Sequence, residues 1–332
     1  MKQRCIIFSI IVMAVLILAS CQQAISPVES PESGENEVQS LAKKATVWTV
    51  PGDFATIQDA IDDPAVEDGH VIRVSPGEYD GAEVDKSVVI KGEEGTIIND
   101  GPLHPAGLTY GFRLLAGSDG AVFSHLTFTT DLSIMNGEAA DDVKVIHCTF
   151  LNAIQAVSNW RGSGWEISHN TIEDLRTRSG GGIGILVADY TGGVVQDNVV
   201  SHNKISGTLH VWQNDCGGYN GSGIVLYADF RWGRLGAEEI SNNRVVQNKV
   251  GMMSDTPEVV NIVAFELTDS RDDPELDPVV FDNAIGFNDF RGTELQIDIT
   301  PENLVDVNTI SRNLGDNRGH GSHPSVFGPS GH

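Results

Sequence analysis

The chain has 332 residues, and its 46 acidic against 21 basic side chains give a formal charge of −25. A surface this acidic repels nucleic acid and anionic lipid, so neither is expected as a partner, and an acidic polysaccharide would need a cation or a local basic patch to invert the field. The body of the chain is long enough for one large domain, and its two cysteines, Cys148 and Cys216, leave a disulfide permitted but open.

At the N-terminus, Lys2 and Arg4 precede an apolar run from Ile6 to Leu18, which reads as a secretion signal over residues 1–20. It is short against the roughly 20 residues that span a bilayer. Leu18-Ala19-Ser20-Cys21 resembles the lipobox of bacterial lipoproteins. The resemblance implies a lipid on Cys21 and a cell-envelope location, at the outer membrane or cell surface, with the membrane met only through that lipid. Residues 21–46, rich in Ser, Pro, Glu and Gln, predict a flexible tether.

The next segment, FATIQDAI from Phe54 to Ile61, predicts a short helix with Phe54, Ile57 and Ile61 on one face, set among valine-rich strands. Beyond residue 110 a weak repeat of about 22 residues appears. Short strand-like stretches place Leu126, Cys148, Asn170, Asn198, Asn243, Asn283 and Asn308 at one recurring point. Each coil carries a further strand, as in GIGILVA, SGIVLYA and NIVAFEL. Strands and turns at such a period predict an all-β parallel β-helix over residues 47–315, with stacked asparagines satisfying one another's amides. A solenoid must cap its open ends, and FATIQDAI suits that task. Asn220 is expected in an exposed loop, and residues 316–332, rich in Gly, Ser and Pro, in a disordered tail.

The run Phe54–Ile61, then Ile72–Tyr79, then Lys86–Gly92 resembles the opening of the pectin-lyase-like superfamily, in which pectin methylesterases and many β-helix repeat proteins begin this way. The resemblance covers residues 47–92 and implies a right-handed parallel β-helix with an N-terminal capping helix. The methylesterase nucleophile stretch Gly-x-x-Asp-Phe-Ile-Phe-Gly is absent, and RWGRLG at Arg231–Gly236 only faintly echoes their Leu-Gly-Arg-x-Trp, so that activity is not expected. The tail's Gly319-His320-Gly321 resembles a polygalacturonase motif in isolation, and no site is assigned there.

Enlarged coils of a solenoid become loops that often build its binding face, and here they lie between Asn170 and Asn283. Aligning LVAD, LYAD and VAFE places Asp189, Asp229 and Glu266 in one outward column about 5 Å apart, with Tyr227 outward as well. Paired carboxylates serve glycoside hydrolysis and carboxylate clusters bind Ca²⁺, so the three acids are both catalytic and Ca²⁺-ligand candidates. His210 is a candidate acid or base, Arg231 a carboxylate clamp or lyase base, and Trp212, Trp232 and Tyr227 stacking surfaces for sugar. Each has a plainer reading: the acids as turn residues, the tryptophans as loop anchors, Arg231 as a counter-charge to Asp229. The expected function is a monomeric, surface-anchored β-helix that binds a polysaccharide or surface glycan, with cleavage by a uronate-lyase or glycoside-hydrolase route left open. The alternative is a non-catalytic binding or scaffold protein. A role like that of the periplasmic copper-processing β-helix proteins is weaker, because Met252, Met253 and the histidines show no ligand spacing.

Overall fold

Each coil of the repeat contributes a strand to several parallel sheets, and like positions of successive coils stack directly. The computed structural model describes residues 45–319 and 323–329; the signal segment, nearly all of the tether and Cys21 lie outside them. One face has ten strands, from Val47–Val50 to Thr309–Ser311. A second has nine, from Ala82–Val84 to Arg318–Gly319, and a third has seven, from Gly77–Asp80 to Lys249–Ser254. A three-stranded sheet of Thr191–Gln196, Gly236–Ser241 and Val280–Phe281 belongs to the larger coils. The pairings are parallel throughout each face, so the architecture is the expected parallel β-helix.

Its core is a set of stacked rows. On the nine-stranded face Ile134, Val157, Ile185, Ile224, Phe265 and Ile297 pair coil to coil and are fully buried. The Phe128 and Phe150 rings stack with centroids 4.9 Å apart. Beside that row the backbone of neighbouring coils comes so close that only small residues fit. A Cβ at Gly184 would stand 2.4 Å from the Gly223 carbonyl oxygen, closer than any side chain tolerates.

The asparagines form two ladders where the sequence suggested one. Asn170, Asn203, Asn248, Asn288 and Asn313 line the corner between the ten- and seven-stranded faces, continuing Leu126 and Cys148. Asn198, Asn243, Asn283 and Asn308 line the other corner of the ten-stranded face. From Asn198 and Asn203 onward each side-chain carbonyl accepts two hydrogen bonds from the coil before it. Asn243 Oδ1, for example, takes the Asn198 backbone N–H at 3.0 Å and the Asn198 amide at 2.8 Å, while its own Nδ2 donates to the Val195 carbonyl at 3.2 Å. Buried amides are tolerated because none of their capacity is left over.

At the N-terminal end the helix spans Ile57–Asp62, with Thr56 as N-cap in a capping box with Asp59. Ile57, Ala60 and Ile61 are buried against the first coils. Phe54 precedes the helix and sets its ring edge-on to Trp48, 5.5 Å away.

The C-terminal segment corrects the expectation of a disordered tail. Arg318–Gly319 pairs with Ile297 and Asp298 as the last strand of the nine-stranded face. Residues 323–329 then run back over the outside of that face, against the order of the coils. His323 meets Thr268, Pro324 bridges to Asn220, and the Ser325 carbonyl accepts the Gly181 N–H. The Gln155 side chain holds the backbone of Phe327 at both its N–H and its carbonyl. Pro329 accepts from the Tyr110 hydroxyl at 3.1 Å. The cause is an apolar outer surface, with Leu132, Ile183, Leu186, Val225 and Tyr227 gathered into a second cluster that Val326 and Phe327 cover. Asn220, expected in an exposed loop, is therefore buried in the strand Asn220–Ala228.

Cys148 is buried in the core and Cys216 exposed, so no disulfide joins them; burial pushes the Cys148 thiol up to about 12.

Candidate functional site

The three carboxylates do not form a column. Asp189 pairs with Ala228, one residue short of Asp229, while Glu266 lies opposite Val225 and Asp298. All three are buried, at 0%, 0% and 2% exposure. Among the described residues no group of three or more His, Cys, Asp or Glu side chains is arranged to hold a metal ion, so the Ca²⁺ site expected from Asp189, Asp229 and Glu266 has no geometric basis.

Asp189 and Asp229 are instead turn-forming residues at strand ends. Asp189 ends the strand Ile183–Asp189 and accepts the Thr191 N–H at 2.9 Å, the Thr191 hydroxyl at 2.7 Å and the Gly193 N–H. Asp229 accepts the Arg231 N–H at 3.1 Å and is clamped by the guanidiniums of Arg231, at 2.9 and 3.2 Å, and Arg234. Burial pushes the Asp229 carboxyl up, but the two arginines outweigh it and leave the group below its ordinary value. A carboxylate so held is a poor proton donor. The same clamp recurs at Asp269 with Arg271 and at Asp289 with Arg291. The motif Asp-x-Arg, present as DFR, DSR and DFR, is a strand-end device of this solenoid.

That clamp builds the most distinctive surface feature. The chain after Asp229 makes a tight turn over Arg231–Gly233, in which Trp232 takes a φ of 54°. Such a conformation is uncommon for a bulky side chain and is retained only where surroundings enforce it. Arg231 lies 4.6 Å and Arg234 5.3 Å from the Trp232 ring centroid. Arg231 also covers Tyr227 at 5.3 Å, and Arg234 covers Tyr190 at 4.9 Å. The indole is 75% exposed, yet it is held by two guanidiniums that are themselves fixed by a buried carboxylate. Tyr227 points outward, as expected, but Arg231 and its neighbours bury it completely.

Trp232 and Arg231 form one wall of an open cleft of about 350 Å³, completed by Ser179, Asp215, Gly217, Tyr219 and Ser325 of the C-terminal segment. Asp215 accepts the Tyr219 hydroxyl and the Gly217 N–H, the latter at 3.1 Å, which fixes the loop. His210 and Trp212 line a second open groove of about 520 Å³ with Arg176 and Arg178. There His210 is ion-paired to Asp255 at 3.2 Å, and the Trp212 N–H donates to the Thr177 hydroxyl at 2.9 Å. The predicted site residues thus divide between two clefts on either side of the turn that carries Arg178 and Ser179. Both volumes fall in the range of about 300–1,000 Å³ usual for ligand sites. Asp215, Tyr219 and Ser325 escaped the sequence reading; only the enlarged coil pointed to the first two, and nothing pointed to Ser325. Of the three arginines in these linings, Arg176 and Arg231 are ion-paired to Asp131 and Asp229, the latter at 2.9 Å.

Against known proteins, the chain is similar to a cell surface glycoprotein of Methanothermus fervidus, with 25% identity over 243 residues. The match covers 67% of this chain and 36% of the relative, so the chain spans about a third of that protein's length. No protein-family model matches the chain, and no solved structure matches it significantly.

Proposed function

We propose that this chain is a cell-surface β-helix protein that binds a polysaccharide without cleaving it, across the two clefts flanked by Trp232 and Trp212. The observation that carries the reading is the exposed Trp232 ring, fixed by Arg231 and Arg234 beside an open cleft. An apolar ring face presented rigidly to solvent suits the apolar face of a sugar, and its fixed position reduces the ordering cost of binding. Two adjacent clefts suit a polymer better than a single sugar, and Arg178 in the second groove favours one bearing carboxylates. Binding is favoured over turnover because Asp189 and Asp229 are committed to turns and clamps, and the His210 ring to Asp255. Surface placement is supported by the likeness to a protein named as a cell surface glycoprotein.

Affinity electrophoresis through polygalacturonate, with neutral xylan as comparison, tests the reading. Wild-type protein should be retarded by the uronate polymer. Trp232→Ala should weaken retardation about tenfold, equivalent to the roughly 1.4 kcal/mol of one stacking contact. Equal mobility of wild type and variant in every gel would remove the proposal.

A further inference from the structure

Four histidines, His125, His147, His169 and His202, stand one above another on four successive coils, at the corner where the ten-stranded face turns into the seven-stranded face. All four are exposed. Their ring centroids are separated by 5.3, 5.0 and 4.8 Å in order, and the last two rings are stacked within 3° of parallel. Each takes a φ between 54° and 57°, in the left-handed region that histidine enters more readily than most residues. The corner does not require histidine, however. Gln247, Phe287 and Arg312 continue the same column with φ of 59°, 59° and 58°. The unbroken run of imidazoles is therefore a property of the surface and not of the turn.

Beneath the rings lies the buried column of Leu126, Cys148, Asn170 and Asn203, hydrogen-bonded coil to coil from Cys148 onward. This fixes the corner backbone and sets the spacing of the side chains above it. Neutral imidazole is a ligand for divalent first-row metals such as Zn²⁺, Ni²⁺ and Cu²⁺. With metal–nitrogen distances of about 2.0–2.1 Å, two imidazole nitrogens on one ion stand roughly 3–4 Å apart. Rings whose centroids are about 5 Å apart reach that separation by small rotations of exposed side chains. The acidic chain raises the local concentration of cations.

We propose that this histidine ladder binds divalent transition-metal ions, each held by the imidazoles of two neighbouring coils with water completing its shell. No third carboxylate, thiol or imidazole is arranged to close such a site among the described residues, so the ligand set is two protein nitrogens per ion. Four rungs give two such pairs, His125 with His147 and His169 with His202.

Calorimetric titration of the full chain with Zn²⁺ tests the proposal through stoichiometry. Glutamine is the substitute of choice, because Gln247 already occupies this corner. The double variant H125Q/H202Q keeps the inner pair and should take up one ion fewer than wild type. H147Q/H169Q leaves no two neighbouring rungs and should lose both ladder ions, while H210Q, away from the ladder, should lose none. A thermal melt of each variant establishes that the coil is intact. Wild-type uptake by H147Q/H169Q, or the same loss in H210Q, would overturn the assignment.

Discussion

Glu266 is the acidic residue whose environment differs most from the expectation. It sits mid-strand on the nine-stranded face, fully buried beside Ser222 and Asn220, and Asp298 is its neighbour on the next coil. Burial first, and then the Asp298 charge, pushes its carboxyl well above the ordinary value, with Ser222 and Asn220 offsetting part of the rise. The folded protein therefore retains a proton that the unfolded chain releases, and stability falls as pH rises from the unfolded Glu value of about 4.3 toward the folded one. Glu266→Gln should stabilise the protein by about 1–3 kcal/mol at pH values above the folded one. It should be close to neutral near about pH 4, where the unfolded chain also binds the proton. Thermal melts of both proteins across this range check it; a difference that does not change with pH would mean the carboxyl is not protonated on folding. The misplacements of Asp229 and of this residue have different causes. Asp229 lies one position past Ala228, the partner of Asp189, and a slip of one residue reverses the face. Glu266 lies opposite Val225, four positions before Asp229, so its strand slips by an even number, which keeps the face and moves the residue along the strand. The recurring Asp-x-Arg motif marks strand ends, and aligning DFR with DSR would have separated Asp229 and Asp269 from Glu266.

Among the elements, the Asn ladders and the C-terminal segment show what a repeat reveals and what it conceals. Asn198 and Asn203 lie on one coil, as do Asn243 with Asn248 and Asn283 with Asn288. The sequence therefore carries paired asparagines at a fixed spacing, and taking one of each pair merged two corners into one. The capping helix was legible because its apolar spacing is local. The C-terminal segment was not, because its partners, Gln155, Gly181 and Tyr110, lie far off in sequence. Gly- and Pro-rich composition describes a chain without helix or strand, and such a chain can still be held by side chains and carbonyls across a face. Removing residues 320–332 should uncover Leu186, Val225 and Tyr227. Each fully buried side chain of that kind contributes about 1.5–3 kcal/mol. The truncated protein should melt at lower temperature and bind a hydrophobic dye while retaining its strand circular dichroism. An unchanged melt with no dye binding would mean that the segment does not cover that cluster in solution.

At the scale of the whole β-helix, the parallel coils space separate surfaces along residues 45–319. The nine-stranded face is closed by the C-terminal segment, the enlarged coils beside it carry the clefts of Trp212 and Trp232, and a different corner carries the histidine ladder. That the larger coils carry the clefts was legible from the coil lengths. That their acids are structural was not, since it depends on which carboxylates meet arginines. The central claim, binding without cleavage, is tested most directly by prolonged incubation of purified wild-type protein with a polygalacturonate that it retains, followed by assay of new reducing ends and of the ultraviolet absorbance of unsaturated uronates. The account predicts retention that depends on Trp232 and a polymer of unchanged length; release of either product by the wild type, abolished in Asp229→Asn, would contradict it.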